Sequence, residues 1–175
     1  VCPSVTMEVQ FTGSWYDELE EKNAANALMD NKCVLISQHA DSMGAPTACE
    51  ERNVPNVSYN GSTVASCPNT FIVSSKIDWT PYFKHIITAV AEGKDVEKDY
   101  CGTIETGSVR LTEYNDANVT EEMKAKVEEI KAGLLDGSIK VFDTSTFTVT
   151  LDRPENEFVV AEVDAEGHLT SYTAD

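Results

Sequence analysis

Basic residues are what this sequence is shortest of: 13 Lys and Arg stand against 30 Asp and Glu, a formal net charge of -17 at pH 7. So acidic a chain repels phosphate backbones and anionic bilayers alike, which removes nucleic acid from the expected partners. Long apolar runs are missing too. No stretch approaches the roughly 18 uncharged apolar residues that a membrane span requires, and no charged-then-apolar leader precedes Val1. A secretion signal or lipid anchor is therefore expected outside this sequence.

Cysteines at metal-ligand spacing are absent. Cys2, Cys33, Cys49, Cys67 and Cys101 are odd in number and far apart, with no CxxC pair, so neither a zinc site nor any other metal is expected. Five thiols fit a reducing compartment or an anaerobic source better than a disulfide framework. Catalytic signatures are missing as well: there is no G-x-S-x-G elbow, P-loop, G-x-G-x-x-G or H-E-x-x-H. Cys33 with a distant histidine does not define a nucleophile. The expectation is a binding protein without a cofactor, not an enzyme.

What is present is an alternation of short strand-like and helical runs through residues 1–90, the pattern of βαβ units around a mostly parallel, doubly wound sheet. Strands are expected at Thr6 to Thr12, Val34 to Ser37, Asn56 to Tyr59 and Phe71 to Ser74. Helices are expected at Asp17 to Asp30, Ala45 to Arg52 and Trp79 to Glu92, the last with Tyr82, Phe83, Ile86, Ile87 and Val90 as its buried face. Val119, Met123, Val127, Ile130 and Leu134 recur at helical spacing. Asn118 with Glu121 suggests a capping box, and Gly137 a stop. Beyond Phe142 the chain turns β-prone at Thr146 to Leu151, Phe158 to Val163 and His168 to Tyr172. The expected division is an α/β domain over 1–142 and a β-rich tail over 143–175, since 175 residues suit one core plus an appendage.

In open parallel sheets, ligands bind outside the carboxyl ends of the strands. The residues that follow the expected strands are Trp15 and Asp17, His39 and Asp41, Tyr59 and Asn60, and Trp79. Aromatic faces beside amide, imidazole and carboxylate groups suit a small planar polar ligand such as a nucleobase or nucleoside. These seven are the candidate ligand-binding residues.

Taken in order, Thr12-Gly-Ser-Trp15-Tyr-Asp17, Ala24-Ala25-Asn-Ala-Leu28, Gln38-His39-Ala-Asp41-Ser42, Tyr59-Asn60, Trp79-Thr-Pro-Tyr82-Phe83, Gly102 to Leu111 and Gly137 to Phe142 resemble the basic-membrane-protein family of solute-binding lipoproteins. The resemblance spans about residues 1–145. It implies the C-terminal lobe of a two-lobed, type I periplasmic-binding-protein fold that delivers purine nucleosides or nucleobases to an ABC permease, anchored outside the cytoplasm. Trp15 then stacks on the purine and the segment His39 to Asp41 borders it. Many members have an acidic residue where this chain has Ser62, and a serine grips ribose hydroxyls more weakly than a carboxylate. The N-terminal lobe that would pack on the helix Trp79 to Glu92 is not in this sequence, so that helix is expected to pair in a homodimer. The alternative is a ligand-sensing module of the same fold coupled to a signalling partner.

Overall fold

The computed structural model describes residues 4–141, and the backbone of 159–163 and 169–174. It divides into two compact units, 1–127 and 128–175. In the first, β1 (Ile36–Ser37), β2 (Asn56–Tyr59), β3 (Phe71–Ile77) and β4 (Val109–Leu111) lie side by side in that order. The pairs β1–β2 and β2–β3 are parallel, and β3–β4 is antiparallel. This is the mostly parallel α/β lobe that the alternation of elements implies.

Helix α1 (Glu18–Asp30) begins where the Asp17 carboxylate accepts the Glu20 N–H at 3.0 Å, while the Glu21 carboxylate accepts the Asp17 N–H at 3.0 Å. Two backbone donors that the first turn leaves unpaired are thereby satisfied. Helix α2 (Gly44–Arg52) ends at Asn53, whose left-handed backbone (φ 55°) lets the chain turn back toward β2. The two helices press together through small residues. A Cβ on Gly44 would stand 2.2 Å from the Glu18 carbonyl oxygen, so only glycine permits this approach. Ala25, Met29, Ile36, Ala45, Ala48 and Cys49 close the core between α1, α2 and β1.

Buried polar groups stitch the sheet. Asn56 Nδ2 donates to the Ile36 carbonyl at 3.1 Å, and Ser58 Oγ donates to Asn56 Oδ1 at 2.6 Å. Both residues are fully buried, and their mutual bonds remove the cost of desolvating them. The Glu50 carboxylate accepts from the Asn69 N–H at 3.2 Å and from Thr70 Oγ1 at 2.7 Å, fixing the entry to β3 against α2. Burial pushes the Glu50 carboxyl up, but these bonds outweigh it and hold the group below its ordinary value. Cys49 is fully buried, and burial with the nearby Cys67 pushes its thiol up to about 12.

Three expectations are corrected. Residues 5–12 form no strand, and Val5, Met7, Val9 and Phe11 are exposed, Phe11 at 89%. Alternation makes a segment fit for a sheet, but a strand exists only where a neighbour takes up its hydrogen bonds. Helix α3 (Thr80–Ala91) buries only Ala89, while Phe83, Ile87 and Val90 are each more than half exposed, so its apolar stripe is no buried face. The third concerns α4 (Glu121–Asp136), capped not by Asn118 but by Thr120, whose Oγ1 accepts the Met123 N–H at 3.2 Å. Asn118 Nδ2 donates instead to the Asn69 and Phe71 carbonyls, both at 3.0 Å. Only Gly133 is buried within α4, and Gly137 (φ 76°) follows its end. In the tail, β5 (Val159–Val163) and β6 (Leu169–Ala174) pair antiparallel, where two of the β-prone stretches lie. Thr146 to Leu151, and the expected boundary after residue 142, fall outside the described residues.

Candidate ligand-binding site

Because β1, β2 and β3 run parallel, their carboxyl ends share one rim. A cleft of about 410 Å³ opens there, lined after β1 by Gln38, Asp41, Ser42 and Met43 and after β2 by Tyr59, Asn60, Gly61, Ser62 and Thr63. Each wall has a reason for its shape. Gln38 Nε2 donates to the Ala40 and Ser42 carbonyls at 3.1 and 3.2 Å, which folds the β1–α2 connection into a tight loop. Ser42 Oγ accepts the Gly44 N–H at 3.1 Å at the entry to α2. On the other wall, the Asn60 N–H donates to the Ser75 carbonyl at 2.7 Å, extending the β2–β3 ladder by one step. Asn60 then turns through a left-handed conformation (φ 64°), and the Gly61 N–H closes on the Tyr59 carbonyl at 2.8 Å.

Of the seven candidate residues, the cleft gathers Asp41, Tyr59 and Asn60. His39 stands at its lip, its ring 5.2 Å from that of Tyr59. Trp15 is joined to the same loop through its carbonyl, which accepts the Asp41 N–H at 2.9 Å, and its side chain is 79% exposed. Asp17 does a different job, its carboxylate being engaged in capping α1. Trp79 lies apart, in a second cleft with Tyr82 and Tyr100. Gln38, Ser42, Met43, Gly61, Ser62 and Thr63 complete the wall and were not among the seven. Gln38 stands directly after a strand, and its buried Oε1 has no hydrogen-bond partner. Thr63 carries no signal in the sequence; its Oγ1 reaches the buried Ser58 hydroxyl at 2.9 Å across the β2 exit loop.

The cleft offers a carboxylate at Asp41, an amide at Asn60, hydroxyls at Ser62 and Thr63, and the ring of Tyr59. Among the described residues no group of three or more His, Cys, Asp or Glu is gathered as a metal site would need. No described helix is long and apolar enough to cross a membrane. A mostly parallel α/β lobe with hydrogen-bonding side chains gathered where the strands end has the layout in which open parallel sheets hold small molecules.

Comparison with known proteins narrows the class. The family profile of ABC transporter substrate-binding proteins of the PnrA-like type (Bmp) matches residues 1–141, and the chain belongs to that family. It is 28% identical over 165 residues to a Haloferax volcanii protein that carries the name ABC transporter glucose-binding protein TsgA13, covering 94% of this chain and 41% of that protein. It is 25% identical over 142 residues to a purine-binding protein of Brucella abortus, covering 81% and 40%. The fold is similar to that of an ABC transporter solute-binding protein from Conexibacter woesei, with a TM-score of 0.68 at 22% identity, covering 80% of this chain and 47% of that one. It is also similar to a transcriptional activator of the comK gene from Bacillus halodurans, with a TM-score of 0.66 at 13% identity over 76% and 47%. The chain thus spans about two fifths of the length of the curated relatives it matches.

Proposed function

We propose that this lobe supplies one wall of an extracytoplasmic solute site that takes a purine nucleobase or nucleoside for ABC-driven uptake, binding without chemistry. The observation that carries this reading is the cleft itself. It is lined by Gln38, Asp41, Tyr59 and Asn60 at the strand ends, with the Asp41 carboxylate as its charged acceptor. Flat heterocycles with N–H edges satisfy such acceptors, and the exposed Trp15 indole offers a face to stack on. A permease is the partner implied by family membership, and lipid anchoring in the membrane goes with the same reading. The fold also serves a transcriptional activator, so a sensing role rests on fold alone and ranks second.

A sugar is the rival ligand, favoured by the name of the Haloferax relative. Hydroxyls and carboxylates serve a hexose as well as a ribose, but a hexose gains less from a broad exposed indole than a purine does. Calorimetric titration of the chain with adenine, guanine, adenosine, guanosine and glucose separates the two. A single lobe leaves one face of the ligand in water, so a millimolar or weaker constant, about -4 kcal/mol, is expected for the purines. Trp15→Ala should abolish it. Glucose binding that ignores Trp15→Ala would overturn the purine assignment. The face of α3 carrying Phe83, Ile87 and Val90 suits a second copy of the chain, and a monomer at all concentrations in light scattering would remove that partner.

A further inference from the structure

The stretch 5–12 has the alternation of a strand and no partner, yet it does not drift away from the sheet. The Glu8 carboxylate accepts from Asn31 Nδ2 at 3.3 Å and from Cys33 Sγ at 3.6 Å, just ahead of β1. Just after β1, the Trp15 carbonyl accepts the Asp41 N–H at 2.9 Å. The stretch 8–15 therefore accompanies 33–41 in the same direction, tied to it at both ends. Between these ties, no main-chain hydrogen bond joins the two among the described residues.

Strand β1 has a side to spare. The Ile36 N–H donates to the Pro55 carbonyl at 3.0 Å and the Gln38 N–H to the Val57 carbonyl at 3.2 Å, both toward β2. Alternate residues of a parallel strand turn their main-chain groups to opposite sides, so those of Leu35 and Ser37 face away from β2, where the sheet ends. No charge guards this edge: residues 34–38 read Val-Leu-Ile-Ser-Gln. Val34 is 80% exposed and Leu35 49%. An uncharged, apolar, unpaired edge is one that sheets ordinarily cover. An uncovered edge and an unpaired companion running the same way need one and the same partner.

We propose that one extended strand inserts between 5–12 and β1, parallel to both and apolar at alternate residues. Its source is the part of the longer relatives' length that this chain does not span. The strand takes the Leu35 and Ser37 groups on one side and the main chain of 5–12 on the other, so the sheet gains two strands at once and 5–12 becomes its outer edge. Val9, Phe11 and Leu35 then pack beside its apolar residues. Because β1 runs toward the rim, the carboxyl end of the inserted strand emerges beside Trp15 and the loop of His39 and Asp41, and the residues that follow it join the wall of the ligand cleft.

The probe is a short peptide of alternating valine and threonine with a lysine at each end and blocked termini. Titrated into isotope-labelled protein and followed by amide chemical shifts, it should move Val9, Phe11, Leu35 and Ser37 with saturation, and slow hydrogen exchange at Leu35 and Ser37. The same peptide N-methylated on its valines keeps its charge and loses the donors of one side, and should bind about tenfold more weakly. Ser37→Pro removes a donor that faces the slot and leaves the donors to β2 in place, as a proline on an edge strand can; about a tenfold loss is expected. Phe11→Ser, outside every helix and strand, should also weaken binding, by about tenfold. Unchanged amide positions in α2 and β3 establish that each variant is folded. A lack of saturable shifts, shifts confined to β4, equal binding of the N-methylated peptide, or indifference to both substitutions would each overturn the proposal. So would concentration-dependent shifts at the same residues without peptide, which would put a second copy of the chain in the slot.

Discussion

The layer formed by α1, α2 and β1 to β3, and the helix α3, use apolar residues to opposite ends. In the layer most sealed positions are small: Ala25, Ala45, Ala48 and Cys49 are no more than 5% exposed, alongside the larger Met29 and Ile36, with Phe71 the largest fully buried side chain. In α3 the large residues Phe83, Ile87 and Val90 are each more than half exposed. Hydrophobicity therefore does not decide which side chain is buried here. Burial follows whether a second surface can come close, and in the layer glycine and alanine allow that approach.

The strongest test of this contrast is Phe71→Ala, which removes the largest fully buried side chain and should cost about 3–5 kcal/mol in urea unfolding. A small loss would mean that the layer is loosely packed. Gly44→Ala adds a single methyl where the Glu18 carbonyl stands, and about 1–3 kcal/mol of destabilisation is expected from the overpacking. Smaller again is the effect of acid on the Glu50 anchor. Its carboxyl is held below the ordinary value, so its contribution is complete above the unfolded carboxylate pKa of about 4.3 and fades as pH falls through the folded value. Glu50→Gln should flatten that part of the stability-versus-pH curve, and an unaltered slope would show that the anchor is electrostatically idle. Least of all should be Ile87→Ser on α3, within about 0.5 kcal/mol in dilute solution. A larger loss that grows with protein concentration would reveal a partner on that face.

The sequence made the parallel lobe legible because Asn56 to Tyr59 and Phe71 to Ser74 combine β-forming residues with turn signals, and both became strands. Asp17 was readable as a strand-end residue, but its place before the first turn of α1 gave it capping work. Tyr59 and Asn60 reached the cleft because the last residue of a parallel strand and the one after it have little choice of direction. Trp79 follows β3, two strands from β1, and proximity in the list of strand ends did not amount to a shared cavity. Residues 6–12 misled for a different reason. Their alternation describes one strand alone, whereas pairing depends on a partner edge that no local pattern encodes.

The buried thiol of Cys49 gives this molecule a clock. With its proton held to about 12, almost no thiolate stands there at neutral pH. An alkylating reagent therefore waits for α2 to lift from the core, while the exposed Cys101 reacts from the first moment. The interval between the two labelling events times the opening of the α1–α2 seam, and any compound that binds the strand-end cleft should lengthen it, since the loop that lines the cleft runs directly into α2.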